Sequence, residues 1–408
     1  MQDGDWDSRI ANLIKWLENG GSFISPRLKV KSDLVYGRSI WIDSDAKEHE
    51  QLISIKFNYT LNVVTVCRQL KNFEAVDSVS DVENFYANLK NVCETLNSFQ
   101  LIPLFLVCES RRGPKSFWSP FVKCLPRIEE LSGMPMTWLW RNQESRSWTL
   151  LPKWSRERSQ EQLERFKSDW KIVSKVLSDC SYSDLIREKE FLWAWLCCNT
   201  RCLYMELPAS LALSTADNIS MVPYLDFINH DYSEAAVEPI APPNIDQDWR
   251  LLSGKKTKQG EVCFSYHCDS DEYFLCEYGF MLEENTYNHI QLDFILNGLF
   301  KPEQRKFLED NGYWGDYKVY SDEITFRTEV ALAVLQETTN FAKIEAFMNG
   351  ESENSYTVTS TRFLKKVLQK YQNWCLERLS AIRSYETDEN PYLIQLYNRS
   401  LKVVNQLL

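Results

Sequence analysis

The sequence predicts an α+β fold: a β-rich domain is split by a helical insert and followed by an all-helical C-terminal domain. Three observations predict this. Short β-type runs occupy residues 23–66 and return after Pro208, helical periodicity fills the stretch between them, and the last third of the chain is again helical. At 408 residues the chain has room for two or three domains, each with a proper core.

The first domain opens with a helix and then changes to β-type runs. Apolar residues at the spacing of one helix face come first: Ile10, Leu13, Ile14 and Leu17. Two glycines at 20 and 21 end this helix. Turn residues and charges then separate four predicted strands: Leu28–Val30, Leu34–Tyr36, Ile40–Ile42 and Leu52–Phe57.

Helical signals fill the middle of the chain. An apolar stripe recurs at positions three and four apart: Val82, Phe85, Leu89, Val92 and Leu96. Residues 101–108 continue it as a buried segment, and 159–177 form a clear amphipathic helix. A further helix, buried on most sides, is predicted over 191–205.

The second β-type region and the C-terminal third complete the pattern. Strands are predicted over 249–252 and 262–266, on either side of a polar turn that contains Gly260. From Ile290 onward every element is predicted to be helical, over 325–347, 359–384 and 391–408.

The charge balance excludes some function classes. The chain carries 46 Lys and Arg against 57 Asp and Glu, a net charge of −11. A protein that neutralises nucleic-acid phosphates needs clustered basic residues, so we expect no direct nucleic-acid partner. An acidic surface would instead attract a basic protein. The longest apolar run, 101–108, is far shorter than a membrane span, and acids stand where a secretory signal has bases.

Cysteine and histidine usage argues against a metal site. The twelve cysteines form no C-x-x-C or C-x-C pair, and only four histidines are present: His49, His230, His267 and His289. We expect a metal-free chain whose cysteines are reduced and mostly buried. The G-x-G-x-x-G, G-x-x-x-x-G-K-[ST], H-E-x-x-H and G-x-S-x-G motifs are all missing. A Cys-His hydrolase, for example one pairing Cys198 with His230, stays a minor alternative.

Two segments stand out as candidates for chemistry. MVPYLDFINHD, residues 221–231, is a strand-like run that ends in Asn229 and His230. GEVCFSYHCDSDEYFLCEYGF, residues 260–280, places Tyr266 at the end of an apolar strand and closes with a Tyr-Gly-Phe turn. Taken alone, the first segment is better explained by a core histidine whose hydrogen bonds go to the neighbouring backbone; the second segment changes the balance in favour of a functional site.

Together these segments resemble the C-terminal half of the SET domain of protein-lysine methyltransferases, in the branch of the Rubisco large-subunit methyltransferase and SET-domain-containing protein 4. LVCESRRGPKSFWSPFVKCLP (106–126), WAWLCCNTRCLYM (193–205) and the helical C-terminal third are also similar to this branch. The resemblance implies a split SET domain over 22–288 with a helical insert at about 127–192, and a helical substrate-binding domain over 289–408. It also implies S-adenosyl-L-methionine as cofactor and lysine methylation as activity.

The resemblance further implies roles for individual residues. The N-terminal motif corresponds to Tyr36-Gly37-Arg38, whose backbone would approach the cofactor closely. Cofactor-binding roles fall on Tyr36, Gly37, Arg38, Asn229, His230, Tyr266 and Phe280. Tyr266 corresponds to the catalytic tyrosine, and the substrate-lysine site would be formed by Arg201, Asp226 and Tyr278. Two positions depart from the pattern, since Ser39 and His267 stand where relatives commonly have glycine.

This chemistry suits a chain with few histidines. Methyl transfer from a sulfonium is an in-line displacement, and positioning the two reactants can lower the barrier by about 7–11 kcal/mol. The substrate amine must be neutral, which an aromatic channel beside a cationic sulfur favours. By analogy with the branch, we expect a basic, non-histone substrate such as a ribosomal protein or a translation factor.

Several points stay open at this stage. The same fold could methylate histidine, or the chain could be a catalytically silent SET protein that binds partners. We expect a monomer in the cytoplasm, the nucleus or both, without membrane association. The sequence does not give the target lysine or the number of methyl groups added.

Overall fold

The computed structural model describes residues 3–33, 37–74, 80–208, 210, 214–232, 237–255, 257–338, 340–353 and 355–408. Its contacts divide the chain into two compact units, each built from two stretches of sequence. Unit 1 comprises Met1–Leu131 and Glu164–His267; unit 2 comprises Ser132–Leu163 and Cys268–Leu408. The domain limits of 22–288 and 289–408 stay predictions.

The strands of the described residues are short. They are β1 (Phe23–Ile24), β2 (Leu28–Asp33), β3 (Gly37–Ile42), β4 (Gln51–Ile55), β5 (Cys202–Tyr204), β6 (Ile219–Met221), β7 (Asn229–His230), β8 (Glu238–Ile240), β9 (Trp249–Leu252), β10 (Gly260–Phe264), β11 (His289–Gln291) and β12 (Lys318–Tyr320). Unit 1 contains two four-stranded sheets, in the orders β1-β4-β9-β8 and β2-β3-β10-β7, and the pair β5-β6. Unit 2 contains the antiparallel pair β11-β12.

The α-helices of the described residues occupy more of the chain than the strands. They are α1 (Asp3–Asn19), α2 (Val63–Lys71), α3 (Asp81–Leu89), α4 (Ser98–Arg112), α5 (Ser119–Val122), α6 (Pro135–Arg141), α7 (Arg146–Leu150), α8 (Lys153–Asp179), α9 (Glu188–Arg201), α10 (Asp271–Tyr278), α11 (Asp293–Leu296), α12 (Pro302–Asp310), α13 (Phe326–Val334), α14 (Ala342–Met348), α15 (Thr357–Arg383) and α16 (Asn390–Leu407). The predicted α+β class is confirmed. None of these helices has the length and apolar content that crossing a membrane requires.

The sheet β2-β3-β10-β7 brings distant parts of the sequence together. β3 is antiparallel to β10, with Val262 opposite Ile40. β10 and β7 run parallel, with Phe264 opposite His230. Because parallel neighbours end at the same edge of a sheet, the end of β7 lies beside the end of β10.

Helices α4 and α9 pack against each other in unit 1 and fix the position of Arg201. The Trp195 ring of α9 is fully buried and lies 5.6 Å from the ring of Phe99 on α4 and 5.9 Å from that of Phe166. Burying such large aromatic side chains is the strongest local source of stability. α9 ends at Arg201 because the next residue, Cys202, is already extended and begins β5.

Unit 2 has its own hydrophobic core, in which the long helices α15 and α16 pack together. Fully buried residues of this core include Leu275, Ile290, Leu368, Leu396 and Tyr397. The amphipathic faces of the two helices therefore meet each other and the pair β11-β12, which explains why the C-terminal sequence reads as strongly helical.

Three predicted elements differ from the structure. The C-terminal third is not wholly helical, since β11 and β12 interrupt it, and the predicted helix 325–347 is two helices, α13 and α14. The predicted helix 191–205 ends at Arg201, and its last residues form β5. Strands of three residues are too short to show a period of two, so helical neighbours mask them. The predicted strand Leu34–Tyr36 lies outside the described residues.

Candidate active site

The candidate site in unit 1 is built around the contact between His230 and Tyr266. The parallel register of β7 and β10 places His230 opposite Phe264, two residues before Tyr266. The backbone N–H of Tyr266 donates to Nδ1 of His230 over 2.9 Å, and the two rings lie 5.1 Å apart. Nδ1 must be unprotonated to accept this hydrogen bond, so His230 is the neutral tautomer with its proton on Nε2.

Burial supports the neutral state of His230. The side chain is almost wholly enclosed, and burial lowers its pKa from the usual 6.5 because the imidazolium loses its hydration. Asp231 and the Phe264 carbonyl oppose this shift, while His267 adds to it. The lowered pKa thus favours the neutral imidazole with its N–H at Nε2.

The hydroxyl of Tyr266 is also fixed. It donates to the backbone carbonyl oxygen of Ile228 over 2.6 Å. The phenol proton is therefore directed away from any substrate, and the lone pairs of the phenol oxygen stay available as acceptors. The rings of Phe264, at 4.8 Å from the Tyr266 ring, and of Tyr232, at 4.6 Å from the His230 ring, complete an aromatic cluster.

Asn229 is engaged on the neighbouring strand. Its side-chain amide donates to Glu261 Oε1 of β10 over 2.9 Å. This bond fixes the orientation of the Asn229 amide group. It thereby also fixes the direction from which the amide oxygen can accept a hydrogen bond. The side chain of Asn229 is thus held by β10, and that of His230 by a residue that follows β10.

The start of β3 supplies an open stretch of backbone. Gly37 has φ +70°, a conformation that L side chains rarely adopt, and no heavy atom of the described residues lies within 4 Å of a Cβ built on it. The backbone conformation therefore favours glycine at this position. Tyr36, predicted to bind the cofactor, lies outside the described residues.

The two departures from the family pattern are accommodated. Ser39 does not have a positive φ, and its hydroxyl accepts a hydrogen bond from the Trp41 indole N–H over 3.0 Å. His267 is exposed and also lacks a positive φ. Neither position requires glycine for its backbone conformation, so the serine and the histidine leave the local chain path intact.

Arg201 and Asp226 form a buried pair next to this cluster. Arg201 Nη1 donates to the Asp226 backbone carbonyl oxygen over 2.8 Å and lies 3.5 Å from its carboxylate Oδ2. The Asp226 side chain is 1% exposed. Burial raises the pKa of this carboxyl, and Arg201 and then Arg38 oppose the rise. The structure thus brings together Gly37, Arg38, Arg201, Asp226, Asn229, His230 and Tyr266 in one unit.

Tyr278 and Phe280 belong to the other unit. Tyr278 ends α10, and Gly279 follows it at φ +80°, where its N–H caps the helix on the carbonyl oxygens of Phe274 and Leu275. The Phe280 ring stacks on Phe274 at 5.4 Å. Burial raises the pKa of Tyr278 above its usual range. The roles of Tyr278 in the lysine site and of Phe280 in cofactor binding stay predictions.

Sequence reasoning missed Tyr224, which lies two residues before Asp226. Tyr224 has φ +74°, is fully buried, and its hydroxyl finds no hydrogen-bond partner among the described residues. A non-glycine residue held at positive φ costs about 1–2 kcal/mol and concentrates at functional sites. No pattern in the sequence distinguishes this tyrosine from a core aromatic, so only the backbone geometry identifies it.

No group of three or more potential metal ligands occurs among the residues that the structure describes. All twelve cysteines are free thiols. Burial raises the pKa of most of them; for Cys197, for example, it reaches about 12. A thiol in such surroundings is protonated and a poor nucleophile, which counts against the Cys-His hydrolase alternative.

Solved structures define the class of fold. The structure of Rubisco LSMT bound to sinefungin and monomethyllysine matches with a TM-score of 0.62 at 15% sequence identity, covering 98% of this chain and 90% of that chain. The SET domain of LSMT bound to lysine and AdoHcy matches with a TM-score of 0.60 at 14% identity, with the same coverage. At these identities the likeness shows the fold, and the fold is that of the SET-domain proteins.

Sequence relatives place the chain more closely. Residues 288–408 match the family described as the ribosomal lysine N-methyltransferase 2 C-terminal domain. Ribosomal lysine N-methyltransferase 2 of Saccharomyces cerevisiae is 26% identical, covering 98% of this chain and 99% of the relative. Ribosomal lysine N-methyltransferase set11 of Schizosaccharomyces pombe is 27% identical over 91% of each. Human SET domain-containing protein 4 is 25% identical over 74% of this chain and 71% of its own length.

The predicted resemblance to the SET-domain protein-lysine methyltransferases of this branch is confirmed, and the chain is a protein-lysine N-methyltransferase.

Proposed function

We propose that this chain transfers a methyl group from S-adenosyl-L-methionine to the side-chain amine of a lysine in a ribosomal protein. The observation that carries the proposal is the shared hydrogen bond between His230 Nδ1 and the Tyr266 N–H, with the Tyr266 hydroxyl held by Ile228. The two sequence relatives named for ribosomal lysine methylation cover nearly the whole chain, which supports the choice of substrate class.

The residues present fit S-adenosyl-L-methionine. Among the described residues the space beside Gly37 is open, so a ligand could approach this backbone closely. His230 contributes an N–H donor at Nε2, and the amide oxygen of Asn229 is an oriented acceptor. These groups would hold the polar part of the cofactor, while the Gly37-Arg38 backbone runs alongside it.

When bound, the cofactor supplies an electrophilic methyl group on a sulfonium. The residues of the chain supply orientation. Because the Tyr266 proton is committed to Ile228 O, the phenol oxygen can accept from the substrate amine and fix the direction of its lone pair. The rings of Phe264 and His230 pack against the Tyr266 ring and make its surroundings partly apolar. An ammonium loses more hydration than an amine on entering such surroundings, so the neutral, reactive form of lysine is favoured.

We further propose that the substrate is basic and that the enzyme acts as a monomer in the cytoplasm or nucleus. The net charge of −11 supports the first point, since opposite charges speed the encounter of two proteins. Ribosomal proteins bind phosphate backbones and are therefore rich in basic residues. Size-exclusion chromatography with light scattering tests the oligomeric state, and a fluorescent fusion tests the location.

The decisive experiment identifies the modified side chain. Purified protein is incubated with S-adenosyl-L-methionine and ribosomal proteins from cells that lack it, and the products are analysed by fragmentation mass spectrometry. The proposal predicts methyl groups on a lysine of a ribosomal protein. Methylation confined to histidine would support the same fold with the alternative target, and methylation of other proteins alone would overturn the substrate class. No methylation, with cofactor binding retained, would favour a catalytically silent protein.

A further inference from the structure

A second guanidinium lies near the buried Asp226. Arg38 lies on β3, directly after Gly37, and its side chain is 7% exposed. Strand β3 contacts the short turn Leu225–Phe227, which carries Asp226. The guanidiniums of Arg38 and Arg201 both favour the ionised form of Asp226, from β3 and α9 respectively. With Glu130, these side chains form a largely buried cluster of two arginines and two carboxylates inside unit 1.

Arg38 is held from two sides. Its Nη2 lies 3.1 Å from Glu130 Oε1, which is partly exposed. Its guanidinium lies over the Trp6 ring of α1, 4.9 Å from the centroid. The same Trp6 ring meets the Phe227 ring edge-on at 6.1 Å, next to Asp226 in sequence. A salt bridge and a cation–π contact together fix a flexible side chain at modest cost in rotamer entropy.

The cluster is incompletely satisfied. Asp226 Oδ1, Arg38 Nε and Arg201 Nε are buried and find no hydrogen-bond partner among the described residues. Asp226 therefore relies on charge more than on hydrogen bonds to stay ionised. A buried carboxylate without a nearby cation takes up a proton, and then it no longer attracts Arg201.

The other groups that face Asp226 do not supply this charge. They are the thiols of Cys124, which follows α5, and Cys197, on α9. Burial raises the pKa of each thiol to about 12, so both are neutral near pH 7. Glu130 faces Arg38 and holds that arginine in place. Arg38 and Arg201 are thus the cations on which the Asp226 carboxylate depends.

We propose that Arg38 is a positioning residue for methyl transfer: fixed by Glu130 and Trp6, it supplies the second positive charge that holds the buried Asp226 carboxylate and, through it, Arg201. This inference rests on the proposed function and on the lysine-site role that the family resemblance implies for Arg201 and Asp226. It assigns a role to the Arg38 side chain, in addition to the role of its backbone beside the cofactor. Arg38 does not have to touch the substrate to act.

The test compares Arg38→Met, which removes the charge and keeps the length, with Arg38→Lys, which keeps the charge. We expect kcat/KM to fall about tenfold or more in Arg38→Met at pH 7 and to be largely recovered in Arg38→Lys. The ratio of wild-type to Arg38→Met activity should shrink as the pH rises, because a higher pH ionises the Asp226 carboxyl again. Taking this ratio cancels the titration of the substrate lysine.

A matched control is Arg112→Met. Arg112 is also largely buried in unit 1, lies 3.0 Å from Glu109 and faces the Phe73 ring at 5.3 Å. We expect this variant to lose stability without a pH-dependent loss of kcat/KM. An Arg38→Met defect that is the same at every pH, or an Arg38→Lys variant no better than Arg38→Met, would overturn the proposal.

A second measurement does not depend on turnover. Denaturant midpoints are compared for Asp226→Asn in the wild-type and Arg38→Met backgrounds. With Arg38 present, losing the carboxylate removes its attraction to two guanidiniums; without Arg38, it removes only the attraction to Arg201. The shift caused by Asp226→Asn should therefore be smaller in the Arg38→Met background. Equal shifts would show that the two residues are uncoupled, even if the enzyme methylates lysine. Coupling in a protein that transfers no methyl group would instead refute the proposed function alone.

Discussion

The Tyr266 N–H donates to Nδ1 of His230 across the parallel strands β10 and β7, at 2.9 Å. One hydrogen bond thus links the residue proposed to orient the substrate amine to a residue proposed to hold the cofactor. It also sets the tautomer of His230. A substitution that displaces either residue should therefore also displace the other.

The first prediction concerns the protonation of His230. Its pKa is lowered by burial, so between that lowered value and 6.5 the unfolded chain binds more protons than the folded one. The free energy of unfolding should fall as the pH drops through this window, and His230→Gln should remove that part of the loss. Denaturant titrations at pH 8 and pH 5.5 measure it. The exposed His49→Gln is the control, and an equal effect of both variants would contradict the assignment.

The second prediction concerns Gly37. Gly37→Ala should lower stability by about 1 kcal/mol, because alanine is strained at φ +70°, and should weaken S-adenosyl-L-methionine binding at least tenfold. Gly312 in unit 2 has φ +74° and equally open space, so Gly312→Ala should lose similar stability and keep its affinity. Titration calorimetry measures both. Unchanged affinity in Gly37→Ala would remove this glycine from the cofactor site.

The third prediction concerns a buried acid in unit 2. Burial raises the pKa of Glu272 to about 7, although its carboxylate accepts from the Ser155 hydroxyl at 2.5 Å. The protonated acid is thus the form that the fold prefers, and stability is lost as the pH rises from 4.5 through 7. Glu272→Gln should gain about 2–3 kcal/mol more at pH 8 than at pH 5. Glu157→Gln, at an exposed position, should show a difference below about 0.5 kcal/mol.

The fourth prediction concerns the encounter with the substrate. If the net charge of −11 draws a basic ribosomal protein, kcat/KM should fall steeply as the salt concentration rises from 50 to 300 mM. Measuring kcat at saturating substrate provides the control, because the chemical step occurs away from bulk salt. A kcat/KM that is insensitive to salt would show that charge does not guide the encounter.

Some of the fold could be predicted because its periodicity is strong. The long helices α8, α15 and α16 have sustained apolar stripes, and β9 and β10 are bounded by clear turn residues. The short strands β5, β11 and β12 could not be predicted. Their three residues carry no usable period, and it is pairing with distant strands that holds them extended.

Site residues could be predicted only where they lie within a recognisable sequence motif. Asn229, His230 and Tyr266 were singled out from the sequence; the structure places the first two on β7 and Tyr266 two residues after the end of β10, in contact with His230. The charge cluster of Arg38 and Glu130, and the positive φ of Tyr224, depend on contacts between segments far apart in sequence. Neither spacing nor composition encodes such contacts, so the structure was needed to find them.

Methyl transfer by Tyr266→Phe tests the central claim most directly. The variant loses only the hydroxyl that donates to Ile228 O, and a misplaced reacting group costs about 100-fold in rate. Tyr204→Phe, on an exposed tyrosine of β5, is the matched control. With labelled S-adenosyl-L-methionine and ribosomal proteins, the account predicts full labelling by wild type and Tyr204→Phe. It predicts at least about 100-fold slower labelling by Tyr266→Phe, with cofactor affinity retained. Labelling by Tyr266→Phe at the wild-type rate would contradict it.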